Sequence, residues 1–442
     1  MKQSRIKNYS PWVDGLKSFY SELRQTNPTL PDYAEIAIVG AGPTGLSAAY
    51  HLLQSGYDPK KIVVLEKALV GEIPGRSAGI VSIEPEHDCS ELRKIYENEK
   101  VRKIMDSYKE SRTYIEQMID AAKMDCEFEK RGSLFIGRNN DEEYLTEEAV
   151  LRRTYGFDAE FRDIQLSDYT KAIFMPNDYA LNPRRFCTEL AKYLFSRGVV
   201  IIENTEVDDF YEDGKIEIEV IKNKRKNTIY AAKIVLAGQE IPHDFNYERL
   251  NRSTNPLLNL LQNILSIETY ALTTRQLSES EIKNIGMESG ASFIDIKQPF
   301  FYGRLTHDNR LLVGGNDLLT ILSGLFSRKK IRTLRKKFMH NFQIFNENDI
   351  DYEWKGRMRI MLDVFPLVYN QENVYVAGPS AHIQYAVLSG RTAANNIMGI
   401  QDDYSELFSD KREINTRIFS TYPDEKISLV LELLGKTERF DD

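Results

Sequence analysis

The chain has 442 residues, 42% of them hydrophobic, 11% aromatic and 28% charged, with a formal net charge of −8. That is enough apolar material for a sizeable core and for two or three domains, or one large two-domain α/β enzyme. The acidic balance excludes a general nucleic-acid binder, which needs a basic face to displace counterions from phosphates.

Residues 1–32 are polar, aromatic and punctuated by proline, and read as an arm laid on the surface. Tyr9-Ser10-Pro11-Trp12-Val13-Asp14 stands where a targeting segment would need an apolar run. No stretch of about eighteen apolar residues offers a membrane span. Cys89, Cys126 and Cys187 are odd in number and widely spaced, with no CxxC pair. A reducing compartment, and hence the cytoplasm, is expected.

The pattern changes at Glu35. Ile36-Ala37-Ile38-Val39 has the character of a buried parallel strand. It runs into Gly40-Ala41-Gly42-Pro43-Thr44-Gly45, and Leu46 to Gln54 reads as a helix closed by Gly56. Ile62 to Leu65 is a second buried strand, ending at Glu66. A lone GxGxxG is weak evidence; inside a complete β-α-β unit it is a dinucleotide fingerprint. Gly40 permits the tight turn, Gly42 lets backbone approach a pyrophosphate, and Gly45 lets helix and strand pack closely. The helix N-terminus offers free N–H groups to the phosphates. Glu66 lies 26 residues after Gly40, the extra turn at Asp58-Pro59-Lys60-Lys61 making up the length. Its carboxylate suits ribose hydroxyls and repels a 2′-phosphate.

Further along, amphipathic helices are expected between Cys89 and Lys123, a strand at Gly132–Ile136 and a helix at Phe186–Phe195. A strand at Val199–Ile202, a hairpin near Asp213-Gly214 and a buried strand at Lys233–Gly238 follow. Residues 266–316 alternate strand-like runs and turns, and 318–345 read as a basic helix. Its run Arg328-Lys329-Lys330, Arg332, Arg335-Lys336-Lys337 is either a solvated face or a site for an anionic partner. A last buried strand at 373–377 opens through Gly378 into a helix ending near Gly399. The charged tail beyond 400 carries an apolar stripe at Ile427, Val430, Leu431 and Leu434.

Several separated segments together resemble the D-amino-acid-oxidase-like FAD oxidoreductases, which include glycine and sarcosine oxidases and D-amino acid and 2-hydroxyacid dehydrogenases. They are the fingerprint, Gly75-Arg76-Ser77-Ala78-Gly79, Gly132-Ser133-Leu134, Leu181-Asn182-Pro183, Leu236-Ala237-Gly238 and Thr269 to Thr274. Arg310 to Gly315, Trp354-Lys355-Gly356 with Asp363 and Pro366, and Gly378 to Gly390 complete the series, within residues 33–400. The resemblance implies an α/β fold: a Rossmann-like FAD-binding domain (33–88, 179–245 and 351–400) and an antiparallel-sheet substrate domain (89–178 and 246–350). An arm at 1–32 and a tail at 401–442 flank them.

It also implies FAD, which supplies the hydride chemistry while the protein supplies orientation and electrostatics. The positions implied for the cofactor are Gly40, Gly42, Pro43, Thr44, Gly45, Glu66, Lys67, Gly75, Arg76, Ser77, Ala78, Gly79, Val207, Gly238, Gly356, Gly378, Ala381, His382 and Ile383. Arg76 faces either the phosphates or the substrate, or is a surface arginine; Ser77 stands where relatives usually carry asparagine. Ala381 and Ile383 replace the glycines of the relatives' Gly-x-x-Gly-His-Gly turn, so a Cβ is brought beside the flavin edge. The catalytic positions implied are His382, Arg304 and Tyr302. Tyr302 and Arg304 alternate with Gly303 and point to one face of a strand, where the arginine can clamp a carboxylate and the tyrosine close the pocket. Where some relatives place a lysine, this chain has Tyr385. His87 is the one nearby residue that could attach a flavin covalently, and non-covalent FAD is expected.

The expected reaction is hydride removal from the C–H next to nitrogen of a small amine or amino acid, delivered to flavin N5. Oxidation of a 2-hydroxyacid or polyol on the same scaffold is the alternative, as is an FAD-binding subunit with degenerate activity. The electron acceptor is left open.

Overall fold

A computed structural model describes residues 6–16, 28–82, 88–238, 264–297, 301–319, 323–380 and 382–412. His87, Ala381 and the apolar stripe from Ile427 lie outside them.

The first sheet is built on the run of buried aliphatics read from the sequence. Its order is Val368–Gln371, Val374–Ala377, Arg225–Leu236, Tyr33–Val39, Ile62–Leu65, Val200–Ile202. All but the first of these pairings are parallel, as expected for strands hydrophobic on both faces. Ile36 and Ile38 pack on one side under the helices Pro43–Gln54, Pro183–Ser196 and Ile383–Met398. Ala37 faces the other side, where the antiparallel strands Thr205–Asp213 and Lys215–Lys222 close the core through Phe210, Ile216 and Ile218. The expected Asp213-Gly214 hairpin is the turn between those two strands.

The second sheet has the order Ile350–Met361, Ile264–Gln276, Arg310–Leu319, Phe301–Leu305, Ser292–Asp295, Ser133–Gly137, Tyr169–Met175, Glu160–Leu166. It is antiparallel except between Ser292–Asp295 and Ser133–Gly137. One face carries Phe293, Phe301 and Val313 beneath Leu334, Phe338 and Phe342. The first two of those come from the helix Ser323–Asn341, so the basic run is the outer side of a packed helix. Within it Arg335 pairs with Glu353 and Lys337 with Asp295.

Three expectations about organisation need correction. Strand Ile350–Met361, expected with the flavin domain, pairs along its length with Ile264–Gln276 in the second sheet. Helix Asn98–Ala122, assigned to the substrate domain, buries Ile104, Met105 and Tyr108 in the core of the first. The described part of the N-terminal arm, residues 6–16, is not wholly a surface ribbon: Ser10 and Trp12 are 3% and 5% exposed. The strand pairing and the helix's apolar face decide these memberships, and neither is a property of chain order.

Candidate active site

Two helices begin at one cleft. Helix Pro43–Gln54 starts with Gly42 as its N-cap and no side-chain cap, and Pro43 has no N–H to offer. The first-turn N–H groups of Thr44 and Gly45 lack intrahelical partners by construction, and the positive end of the helix dipole sits there. Helix Ile383–Met398 starts with His382 as its N-cap, again without a side-chain cap. The ends are held together because glycine brings the helices close: a Cβ on Gly390 would stand 2.1 Å from the Thr44 carbonyl oxygen.

The fingerprint geometry follows the sequence reading. Gly40 has φ +104°, a conformation that disfavours a side chain. A Cβ on Gly45 would come within 2.0 Å of the Gly40 oxygen. A Cβ on Gly42, by contrast, would meet only Pro74 Cγ at 3.7 Å and otherwise point into the cleft. Glu66 ends the second strand and accepts N–H bonds from Ala41 (2.8 Å) and Ala68 (2.9 Å). Burial pushes its carboxyl up, against the pull of those two amides. Two amide donors thus orient the carboxylate while lone pairs remain for further donors.

The cleft is lined by Gly40, Gly42, Pro43, Thr44, Glu66 and Lys67 from the first unit and by Arg76 and Ser77 from the glycine loop. Val207, Gly238, Gly356, His382 and Ile383 also line it. Four other predicted positions shape the walls. Gly75 packs on the Arg184 side chain, Gly79 accepts from the Leu181 N–H (2.9 Å), and Gly378 donates to the Leu367 oxygen (2.8 Å). Ala78 sits against the cluster around Trp12. The cations at the rim are matched by acids: Lys67 with Glu206 (2.8 Å), Arg76 with Glu72 (3.7 Å), Arg357 with Glu268 (3.5 Å). The helix ends therefore carry much of the attraction for an anion. Lining residues missed from the sequence include Pro74, Thr205, Glu206, Thr269, Met358 and Ser380. Thr269 and Ser380 belonged to segments that carry the resemblance, while the others carry no local signal of function.

The substitution at Ile383 is accommodated: Ile383 is the first residue of the helix Ile383–Met398, so its Cβ meets no positive-φ requirement, and the kept His382 has φ −107°. The His382 carbonyl accepts from Ala386 N–H and from Ser380 Oγ, both at 2.9 Å. Tyr385 points away from the cleft: it is fully buried among Tyr108, Phe365 and Phe408, its hydroxyl 3.2 Å from Ser107 Oγ. The three thiols are buried and unpaired; burial pushes each thiol up, Cys126 to about 12.

Tyr302 and Arg304 stand behind the cleft wall. The Tyr302 ring lies on the bare Cα of Gly314, and its hydroxyl is 3.4 Å from Thr269 Oγ1. Arg304 is 2% exposed, donates Nη2–H to the Leu181 oxygen (3.0 Å) and lies 5.1 Å from the centroid of Trp12. Its Nε has no hydrogen-bond partner among the described residues. Burial lowers its pKa to about 10 against the opposing pull of Glu129 and Glu127. Neither residue is itself part of the cleft lining.

Residues 35–396 match the DAO family of FAD dependent oxidoreductases. The chain belongs to that family. It is 26% identical over 411 residues to a probable oxidoreductase, OrdL, of Haemophilus influenzae, covering 88% of this chain and 89% of that protein. It is 24% identical over 379 residues to the gamma-glutamylputrescine oxidoreductase of Escherichia coli, covering 83% and 84%. In fold it is similar to glycine oxidase from Geobacillus kaustophilus (TM-score 0.69, 16% identity, 87% of this chain and 100% of that one). It is also similar to L-proline dehydrogenase from P. horikoshii (TM-score 0.67, 18% identity, 87% and 98%). The protein is an FAD-dependent oxidoreductase, and the cleft fits the cofactor. Gly42 leaves the space a diphosphate needs, two uncapped helix ends meet it, and Glu66 stands at the ribose position of the fingerprint. No helix among the described residues is long and apolar enough to cross a membrane.

Proposed function

We propose that this oxidoreductase takes hydride from the C–H next to nitrogen of a small, carboxylate-bearing amine or amino acid. Bound FAD supplies the hydride-accepting ring. The observation that carries the reading is Arg304: a guanidinium buried in the second sheet, with no carboxylate at ion-pair distance among the described residues. A buried cation without an anion is costly, and a site that receives an anionic substrate repays that cost. The names of the similar proteins agree with an amine or amino acid: gamma-glutamylputrescine, glycine and L-proline, with iminodiacetate for a further structural neighbour.

In this reading Thr44 and Gly45 N–H groups hold the diphosphate and Glu66 the ribose. The first turn of Ile383–Met398 turns its positive end toward the edge of the ring where negative charge gathers. From behind the cleft wall Arg304 supplies the positive charge that draws the substrate carboxylate, and Tyr302, steadied by Thr269, stands on the same face beside it. His382 sits where the second helix meets the cleft and contacts the reacting end.

The test is anaerobic titration of the FAD-loaded protein with amino acids, N-alkylated amines and 2-hydroxyacids while the visible flavin bands are followed. Bleaching by an amino acid or amine supports the proposal. Bleaching by hydroxyacids alone replaces it with C–O oxidation, and bands reduced by dithionite but by no donor refute it.

A further inference from the structure

The segment 6–16 lies outside the family match at 35–396, yet it is bound into the site. Lys7 pairs with the second sheet through its N–H to the Asp351 oxygen and its oxygen to the Glu353 N–H, both 2.9 Å. Asp14 then collects Lys7 Nζ (2.6 Å), the Tyr352 hydroxyl (2.6 Å) and the Tyr9 hydroxyl (3.0 Å). Between these anchors the arm reaches the glycine loop. Three successive loop carbonyls are drawn to outside donors: Gly75 to Ser10 Oγ (2.6 Å), Arg76 to Trp354 Nε1 (2.8 Å) and Ser77 to Trp12 Nε1 (3.0 Å). Two of the three donors belong to the arm. The Trp12 ring packs with Ala78, Ala271, Leu312, Tyr352 and Trp354, and the Arg304 guanidinium stands by it.

We propose that Trp12 is a positioning residue of the active site, whose ring seats the Arg304 guanidinium while its indole N–H fixes the Ser77 carbonyl. This rests on the reading of Arg304 as the carboxylate-binding cation. One residue thereby sets the distance between the loop that lines the cofactor cleft and the cation behind it. The physical reason is economy of partners. Arg304 has one carbonyl bond among the described residues, so an aromatic face is the second attraction that holds its plane. The three loop carbonyls are each held by a donor from outside the loop, so the loop's backbone is fixed by the arm and the second sheet.

The experiment uses the full-length, FAD-loaded protein with Trp12→Leu and Trp12→Phe, and anthranilate as an unreactive carboxylate probe read from the flavin bands. Leucine removes both ring and N–H, and the anthranilate dissociation constant is expected to rise about tenfold. KM for the donor rises with it, while kcat changes less than about threefold. Phenylalanine keeps the ring, so anthranilate binding returns to near wild type, but loss of the Ser77 bond weakens FAD about fivefold. A lower melting temperature for either variant, with anthranilate and FAD constants unchanged, means that the arm is only structural and overturns the proposal. Where the leucine protein does not accumulate, the phenylalanine protein decides by its FAD constant: a wild-type value overturns the proposal. Wild-type bands unmoved by anthranilate overturn this inference together with the carboxylate reading; wild-type bands that move equally in Trp12→Leu overturn the inference alone.

Discussion

Gly42→Ala separates the cofactor site from the fold that carries it. Gly42 has φ −85° and ψ −177°, extended backbone open to alanine, and the new methyl would meet only Pro74 Cγ at 3.7 Å. The apo protein is therefore expected to be unharmed, or stabilised by up to about 0.4–1 kcal/mol through the unfolded chain. The methyl points into the space assigned to the diphosphate. Displacing one charge-assisted N–H···O bond costs about 1.5–3 kcal/mol, a loss of roughly tenfold to a hundredfold in FAD affinity. Gly45→Ala is the control with the opposite profile. Its Cβ would lie 2.0 Å from the Gly40 oxygen, so the helix must shift and apo stability falls by about 1–3 kcal/mol. The assay is urea unfolding of the deflavinated proteins, with FAD titrated by quenching of its fluorescence. A Gly42→Ala protein that binds FAD like wild type refutes the placement of the diphosphate. One that loses more than about 1 kcal/mol as apo protein refutes the argument that its Cβ has room.

Gly390→Ala pushes a methyl against the Thr44 oxygen at 2.1 Å and should cost about 1–3 kcal/mol in urea unfolding of the apo protein. FAD should weaken with it, because the same contact aligns both helix ends; an unshifted midpoint contradicts this packing. His51 is held below its ordinary value of 6.5 by burial, with Arg391 also lowering it and Asn395 and Asp402 opposing. The neutral ring is the folded form, bonded to Asn395 Oδ1 (2.7 Å) and near the Tyr114 hydroxyl (3.3 Å). Its contribution is complete above the unfolded value and is lost as pH falls below 6.5. The melting temperature of wild type should therefore drop more than that of His51→Gln between pH 7.5 and 5.5, and equal slopes would remove His51 from the account. Acid precipitation should carry all the flavin colour into the supernatant, whereas colour retained in the pellet would mean a covalent bond.

The parts of the fold that were legible in the sequence are those whose physics is local. Ile36 to Val39, the three fingerprint glycines and Glu66 announce themselves because turn, helix end and strand end are fixed within one β-α-β unit. The start of the Pro183–Ser196 helix, expected only from Phe186, lies earlier because the Asn182 side chain accepts from the N–H groups of Arg184 and Arg185 and caps it; Asn182 was marked only through the resemblance. Strand membership was not legible at Ile350–Met361. Its alternating burial is that of any half-covered strand, and the sheet it joins is chosen by register with Ile264–Gln276 far away in sequence. The helix Glu142–Thr154 was missed because its apolar stripe is narrow: Leu145 and Ala149 are buried beside Glu148 and Arg152, charges that pair with each other inside the fold.

Trp12 shows the same limit from the side of function. In sequence it is an aromatic in a polar segment, the profile of an exposed arm. In space its ring closes a small core with Tyr352 and Trp354, Ala271 and Leu312 from three adjacent strands of the second sheet, and its N–H finds Ser77. Each partner lies 65 or more positions away, and each is ordinary alone. The alternation of Tyr302 and Arg304 gave the correct common face of the strand, but not that the face is covered where Arg304 stands. A surface-facing arginine and a buried one have the same sequence signature. What distinguishes them is the cost of burial, and that cost becomes visible only when Arg304 is found with the Leu181 carbonyl and the Trp12 ring beside it and no carboxylate at ion-pair distance among the described residues.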